Sequence, residues 1–402
     1  MFDKPHEDAV LKETKGLEYW CWKENDILQI ELTGKGAYTD KETEQKFKGE
    51  FVKEEDLALI LTESADVYSP RGVLDMFSAE DSKEERIIVS YRKAVIPEEI
   101  CKQAYENLQS GAELTDNRGT ASGPVDFSKL PKFMFKYGDP VLKGTNKNRA
   151  FYLLEDGSVS KTSRANMVRS GQCGYFGPNK RFPFAREAGF SKSNPEKVEK
   201  ATPYFEYISN NFKLLAPTVW QRQFDFLTKH KLIENGWVLG ASVYTTVTIN
   251  KNFQTAAHQD AGDYSGGLGN ISVLENPEKP FAGGYVSFPQ WKCGVDLRMG
   301  DILVFAIHQY HGNTKIKPAV EVPEGGNPED YYERMSLVCY ARENMKNAGT
   351  KAQEKEKKKQ WRAGYKNSSE LNKINAIKAQ AHRDQAQSEF EDMMDMLEED
   401  SE

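Results

Sequence analysis

The sequence predicts an α+β fold: a double-stranded β-helix core of the jelly-roll, cupin-like kind, with flanking helices, an N-terminal α/β extension and a C-terminal helical tail. Three observations carry this. Between 241 and 343 the chain reads as short β-rich runs separated by turns, "ASVYTTVTIN", "GNISVLEN", "GGYVSFPQW", "VDLRMGDILVFAIHQYHGN" and "RMSLVCYARE", a cadence that suits a closed or two-layered β core. Two helical stretches precede it, "NPEKVEKATPYFEYISNNFKLL" and "PTVWQRQFDFLTKHKLIENG", the second opening on Pro217 and ending near Gly236, the proline-first, glycine-last order of a helix. From 346 onward the chain is charged, weakly amphipathic and free of proline, which predicts an appended helix that is partly disordered at its acidic end.

The remaining elements follow in order. Residues 1–90 mix β-like pieces, "DILQIEL", "LALILT" and "RIIVSYRKAVI", with acidic connectors, and are expected to form an accessory region or the edge of the main sheet. A helix begins within "IPEEICKQAYENLQSG", where Pro97 precedes Glu98 and Glu99 and a glycine follows; carboxylates suit the positive end of a helix. Residues 112–195 show little periodicity and much glycine, proline, lysine and arginine, which marks long functional loops. The division expected is 1–90, a main domain over 91–345 that contains the 112–195 loops and the 241–343 jelly roll, and a tail over 346–402.

At 402 residues with 11% aromatic side chains the chain can bury a large core, which excludes a marginal mini-fold. No apolar run approaches the roughly 18 to 20 residues that cross a bilayer, and the N-terminus lacks the charged-then-apolar pattern of a secretory signal. The expectation is an intracellular protein, cytoplasmic or nuclear, with no membrane partner. Five scattered cysteines without CxxC spacing fit reduced thiols and argue against structural zinc. Residues 1–90 hold 22 acidic against 12 basic side chains and residues 389–402 hold 8 acids and no base, so the stretch between them is positive within a chain of net charge −7. A positive middle suits a polyanionic partner.

One motif carries chemistry. In "AAHQDAGDYSGG" His258 and Asp260 stand two apart, so a strand would project both into one cavity. Asp263 is an alternative carboxylate, but lies past the turn. In "GDILVFAIHQYHGN" Leu303, Phe305 and Ile307 are in phase with His311, which makes His311 the third candidate and leaves His308 as a supporting or surface residue. Two histidines and one carboxylate on one side of a metal leave positions open, the arrangement of non-haem Fe(II) oxygenases; zinc hydrolysis fits the same set. Arg334 and Ser336 share a strand face opposite Met335, Leu337 and Cys339, and an arginine fork suits the far carboxylate of 2-oxoglutarate.

In "HQDAGD", "HQYHGNT" and "ERMSLVCYARE", with "NRGTASG" and "MVRSGQCGYFG" upstream, the sequence over 90–345 resembles the TET/JBP-type Fe(II)/2-oxoglutarate dioxygenases of nucleic-acid bases. The resemblance implies that His258, Asp260 and His311 bind Fe(II) as the catalytic set and that Arg334, assisted by Ser336, binds 2-oxoglutarate, with ascorbate as reductant or possible co-substrate. It implies oxidation of the 5-methyl group of a DNA pyrimidine, 5-methylcytosine to 5-hydroxymethylcytosine and beyond, with O₂ and 2-oxoglutarate giving succinate and CO₂. Thymine hydroxylation is the alternative; hydroxylation of a protein side chain or small metabolite, and an inactive nucleic-acid-binding module, are others. The segment between His311 and Arg334 is longer than the family pattern.

Gly157 to Arg186 carries Lys161, Arg164, Arg169, Lys180, Arg181 and Arg186 and no acid, interleaved with Tyr175, Phe176, Phe182 and Phe184. Such a run suits phosphate contacts and stacking on a base flipped out of methylated DNA; aromatics packed on the barrel under a solvated basic loop are the competing expectation. Asn117, Arg118, Arg169 and Gln172 are the candidate substrate contacts. Lys355, Lys357, Lys358 and Lys359 fit a solvated helix face, with nonspecific phosphate affinity as the alternative.

Overall fold

A computed structural model of the protein describes residues 4–39, 45–70 and 83–366; the acidic end expected to be disordered lies outside them. Strands β1 (Val10–Thr14), β2 (Leu17–Glu24) and β3 (Ile27–Leu32) form a meander, β4 (Leu59–Leu61) leaves it, and β5 (Ala65–Tyr68) returns parallel to β3 beside β6 (Ile87–Arg92). Helix α1 (Glu98–Leu108) and β7 (Leu114–Thr115) follow, then a separate antiparallel sheet of β8 (Val141–Lys143), β9 (Asn146–Leu153) and β10 (Val159–Arg164). β11 (Val168–Phe176), β12 (Arg186–Glu187), and helices α2 (Gly189–Ser193), α3 (Pro195–Leu215) and α4 (Pro217–Lys229) lead into the core. The core comprises β13 (Thr246–Lys251), β14 (Gly269–Glu275), β15 (Phe281–Gly283), β16 (Val286–Phe288), β17 (Cys293–Val295), β18 (Ile302–Phe305), β19 (Gly312–Asn313), β20 (Ile316–Pro318) and β21 (Arg334–Tyr340); helix α5 (Lys351–Lys366) ends the described chain.

The pairing is that of a double-stranded β-helix. The major sheet runs β18-β14-β21-β13 at its centre and the minor sheet runs β19-β16-β17, so the chain passes repeatedly between two facing layers. Period-two side-chain direction builds both cores. Val247, Ile249, Leu274, Ile302, Val304, Met335, Leu337 and Cys339 point out to the helices, while Ile271, Val273, Leu303, Phe305 and Ile307 point in against Val286, Phe288, Trp291 and Val295 of the minor layer. Coverage on both faces explains why Gly269 to Leu274 of β14 is buried without a break. Helix α3 answers with Tyr204, Phe205, Ile208 and Phe212, one apolar stripe at helical spacing. Pro195 and Pro217 occupy first turns, where no donor is lost.

The acidic N-terminal stretch is built into both sheets. β6 pairs with β18, extending the major sheet through β5, β3, β2 and β1, and β4 runs parallel to β17 at the edge of the minor sheet. Asp301 ties this seam, accepting from Tyr91 Oη at 2.7 Å and from the Ala94 backbone N–H at 2.8 Å. The long stretch 112–195 is less loop-like than its composition suggests. It contains β7 to β12; "NKNRAFYL" and "VSKTSR" carry polar side chains on both faces, which leaves no period-two signal in the sequence. All five cysteines are buried and unpaired, and no helix among the described residues is long and apolar enough to cross a membrane.

Phe212 is fully buried between α3 and the major sheet, so Phe212→Ala is expected to cost about 3–5 kcal/mol. Equilibrium urea unfolding measures this loss. Metal binding by the folded fraction is expected to be unchanged, because the helix layer lies on the far side of the sheet from the cavity described next.

Candidate active site

After β13 the chain crosses to the minor layer, where His258 and His311 exchange two backbone hydrogen bonds, each 2.9 Å. A pair of residues that exchange both bonds projects its side chains to the same face, and the two imidazole centroids lie 4.6 Å apart. Asp260 is fixed by its own N–H, which donates to the Ile307 carbonyl at 3.2 Å. The ligand atoms of His258, Asp260 and His311 all lie within 4.8 Å of one another. Asp263, the alternative carboxylate, instead pairs its backbone with Arg342 on the cavity wall.

His311 reaches this position by a route other than strand phase. β18 ends at Phe305, a turn follows, and the chain enters the opposite sheet at His311. His308 sits on that turn, partly exposed, with its Nε2 3.4 Å from the Ser265 carbonyl.

The ring orientations suit metal binding. His258 Nδ1 lies 2.8 Å from the Ala256 carbonyl and His311 Nδ1 lies 2.9 Å from the Gln309 carbonyl. A carbonyl only accepts, so each Nδ1 carries the proton and each Nε2 offers its lone pair. Those Nε2 atoms approach Asp260, at 3.6 Å from His258 and 3.3 Å from His311. Burial, aided by the charge of His311, lowers the His258 pKa to about 4. Burial would raise that of Asp260, but the two imidazoles outweigh it and hold the carboxyl at about 2. For His311 burial acts downward, and the Asp260 carboxylate reverses it. The result is an ionised carboxylate beside a neutral imidazole, a donor set that fits a divalent transition metal with sites left open.

The triad lines a cavity of about 260 Å³ whose far wall contains Arg334 and Ser336. Arg334 is 2% exposed, and its Nε and Nη2 atoms are buried without a hydrogen-bond partner. Burial lowers its pKa to about 10, with Glu275 opposing, so it stays charged at neutral pH. Its side chain lies across Gly284, where an added Cβ would come within 3.1 Å of Arg334 Cδ. An orphaned buried guanidinium is costly unless a carboxylate completes it. The residues therefore fit a metal-chelating acid with a second, distal carboxylate, as 2-oxoglutarate has.

Of the candidate substrate contacts, the structure brings two to this cavity. Arg118 and Gln172 line it, together with Thr248, Tyr340 and Arg342. Gln172 Nε2 and Arg342 Nη2 donate to Tyr340 Oη at 2.8 and 2.9 Å, and Thr248 Oγ1 lies 3.1 Å away. With two bonds accepted, the phenol donates its own proton to Thr248. Arg118 Nη2 donates to the Gly171 carbonyl at 3.1 Å, while its Nε is buried without a partner. Arg169 and Asn117 are not brought there. Arg169 lies one position out of phase with Ser170 and Gln172, exposed, and lines a separate groove. Asn117 is exposed on a turn with its N–H bonded to Thr115 Oγ1.

The aromatics of the basic stretch pack internally rather than forming an open platform. Phe184 is 2% exposed and meets Trp361, Tyr175 meets Trp237, and Phe176 lies between Arg186 and Arg342. Tyr340 and Arg342 add to the candidate residues; both continue the inward face of Arg334, Ser336 and Val338 at period two, a spacing that the sequence carries.

Asp260→Ala and His311→Ala are each expected to abolish stoichiometric Co(II) binding, whereas Asp263→Asn is expected to retain one bound ion per chain. Titration of the Co(II) ligand-field absorption measures both.

Residues 173–343 match the Tet_JBP family, described as the oxygenase domain of the 2OGFeDO superfamily. The chain is 25% identical over 325 residues to the bifunctional helicase and thymine dioxygenase JBP2 of Leishmania tarentolae, covering 80% of this chain and 23% of that protein. It is 26% identical over 268 residues to the thymine dioxygenase JBP1-B of Trypanosoma cruzi, covering 64% and 29%. The chain thus spans about a quarter of the length of these two relatives. Among solved structures, NgTET1 in complex with 5mC DNA aligns with a TM-score of 0.42 and 12% identity over 75% of this chain and 89% of that one. The family match and the relatives agree with the fold, the triad and the buried arginine: residues 173–343 match an oxygenase domain of the TET/JBP type, in the superfamily that pairs Fe(II) with 2-oxoglutarate.

Proposed function

We propose that the protein oxidises the 5-methyl group of a pyrimidine base in DNA, 5-methylcytosine in the first reading. The observation that carries the oxygenase part is the convergence, in one cavity, of the His258, Asp260 and His311 triad with the unpartnered guanidinium of Arg334. DNA as the substrate is supported by the family match and by relatives whose names specify thymine dioxygenase. Those names favour thymine as the second reading.

When bound, iron with 2-oxoglutarate supplies O₂-dependent oxidation, in which one oxygen atom leaves in succinate, CO₂ is released, and the other oxygen is inserted into the target C–H bond. The chain supplies position and exclusion of water. His258 and His311, through Nε2, and Asp260, through its carboxylate, are the residues that would hold the metal. Arg334 and Ser336 would receive the distal carboxylate of 2-oxoglutarate across the cavity from the triad. Ile271, Phe305 and Val338 close the apolar wall. Arg118, Gln172, Tyr340 and Arg342 make the polar wall; the bonds from Gln172 and Arg342 to Tyr340, and from Arg118 to the Gly171 carbonyl, fix the directions in which a base edge would be read. A methyl group inside a duplex cannot reach this cavity, so the nucleotide must be extruded.

The test is mass spectrometry of nucleosides from duplexes containing either 5-methylcytosine or only unmodified bases, incubated with the protein, Fe(II), 2-oxoglutarate and ascorbate as reductant. Gain of one oxygen by 5-methylcytosine or by thymine, absent in the His258→Ala/Asp260→Ala variant, is expected and identifies the base. Succinate without a changed nucleoside would overturn the DNA reading and leave the oxygenase. Arg334→Lys, which removes the planar fork, is expected to raise the KM for 2-oxoglutarate about 10- to 100-fold, the loss of one charge-assisted contact; steady-state kinetics of succinate formation measure it.

A further inference from the structure

Helix α5 is fastened to the domain at two points. Glu354, in its first turn, is 2% exposed and accepts from the backbone N–H groups of Ala185 at 2.6 Å and Gly349 at 2.8 Å, with the Lys357 ammonium at 2.6 Å. Two turns later Trp361 packs on Phe182 and Phe184, with ring centroids 5.6 and 5.4 Å away. A solvated tail has no need of a buried carboxylate or a tryptophan anchor. The fastening fixes what the helix presents beside them.

It presents cations to cations. Lys358 is half-buried, and its pKa is lowered by burial and then by Arg362, Lys192 and Arg186. Arg186 lies over Phe176 at 4.9 Å and Phe182 at 4.4 Å; its pKa is lowered by burial and then by Arg342 and Arg181. Arg342 covers the same Phe176 ring at 4.7 Å and reaches the cavity wall. A run of positive charge therefore leads from Arg342 through Arg186 and Arg181 to Lys192, Lys358 and Arg362. Among the described residues none of these six forms an ion pair; Glu187 is the acid that acts on Lys358. Arg186 also holds a buried Nη1 atom with no hydrogen-bond partner. Like charges held together with no ion pair among them oppose folding, and they suit a partner that is itself a closely spaced polyanion.

We propose that helix α5 and the 177–192 segment together form the docking surface for the phosphate backbone of duplex DNA, a track that begins at the cavity wall and ends at Arg362. This rests on the DNA reading above and adds to it the element that carries nonspecific affinity. The aromatic rings support the arginines and the helix from beneath, and the extruded base is left to the cavity. Base identity is then read at the cavity, and the track contributes equally to every sequence.

The experiment is fluorescence anisotropy of the full chain on one duplex, methylated and unmethylated, between 50 and 200 mM salt. The Lys358→Gln/Arg362→Gln variant removes two cations and leaves Glu354 and Trp361 in place. Its slope of log K against log salt is expected to be shallower by about 1.8, at about 0.9 per phosphate contact, by the same amount on both duplexes. Its DNA-independent conversion of 2-oxoglutarate to succinate is expected to match the wild type. Trp361→Ala, which frees the helix while keeping its charges, is expected to lower the slope as well. An unchanged slope in the charge variant with the wild type bound to DNA overturns the track and leaves the DNA reading standing. Failure of the wild-type chain to bind either duplex overturns both.

Discussion

The two reciprocal backbone hydrogen bonds between His258 and His311 are the constraint on which the site depends. They join the segment after β13 to the segment after β18 at the edge of the minor sheet. Because both residues belong to one bonded pair, their imidazoles stand side by side without help from the side chains. Each ring is then turned by its own backbone, through Nδ1 and the carbonyl two residues earlier. Asp260 is added by one further backbone bond, to the turn that delivers His311. The placement of the three side chains therefore begins in main-chain hydrogen bonds.

Arg334 depends on the same architecture from the opposite layer. β21 sits between β14 and β13 in the centre of the major sheet, and its alternate residues pack Met335, Leu337 and Cys339 against the helices. That packing forces Arg334, Ser336, Val338 and Tyr340 inward. The lack of a side chain at Gly284 gives the arginine stem room to lie flat, and burial keeps its guanidinium away from water. A charge retained in such a place with two donor atoms unsatisfied is a cost that a dicarboxylate ligand would remove.

Around this centre the remaining chain closes edges. The N-terminal strands extend both sheets, so the jelly roll is not left with an open strand at β18 or β17. On the other side β11 covers β13, and its continuation supplies the aromatic bed for Arg186 and for helix α5. The helix and the N-terminal strands thus serve different ends: one set completes sheets, and the other positions charge.

The sequence by itself determined the strand faces and the chemistry they carry. Side-chain direction within a regular strand alternates whatever the rest of the molecule does, so "RMS" and the run "MSLVCY" could be sorted into inward and outward residues from spacing alone, whereas "HQD" lies outside the regular strands and is placed by the His258 to His311 bridge and the Asp260 to Ile307 bond. The same local rule, applied across "ILVFAIHQYH", pointed to His311 over His308 although the strand breaks at Phe305, because a two-sheet crossing happened to preserve the side. Only the tertiary structure decided which distant pieces share the cavity. Arg118 and Arg342 enter it, and Asn117 and Arg169 turn away, because a loop residue's direction and a strand's solvent side are set by neighbours far along the chain. The basic, aromatic stretch was legible as composition, but its rings were claimed by Trp361 and Trp237. Contacts across that many residues are fixed by packing free energy over the whole domain, and no local pattern records them.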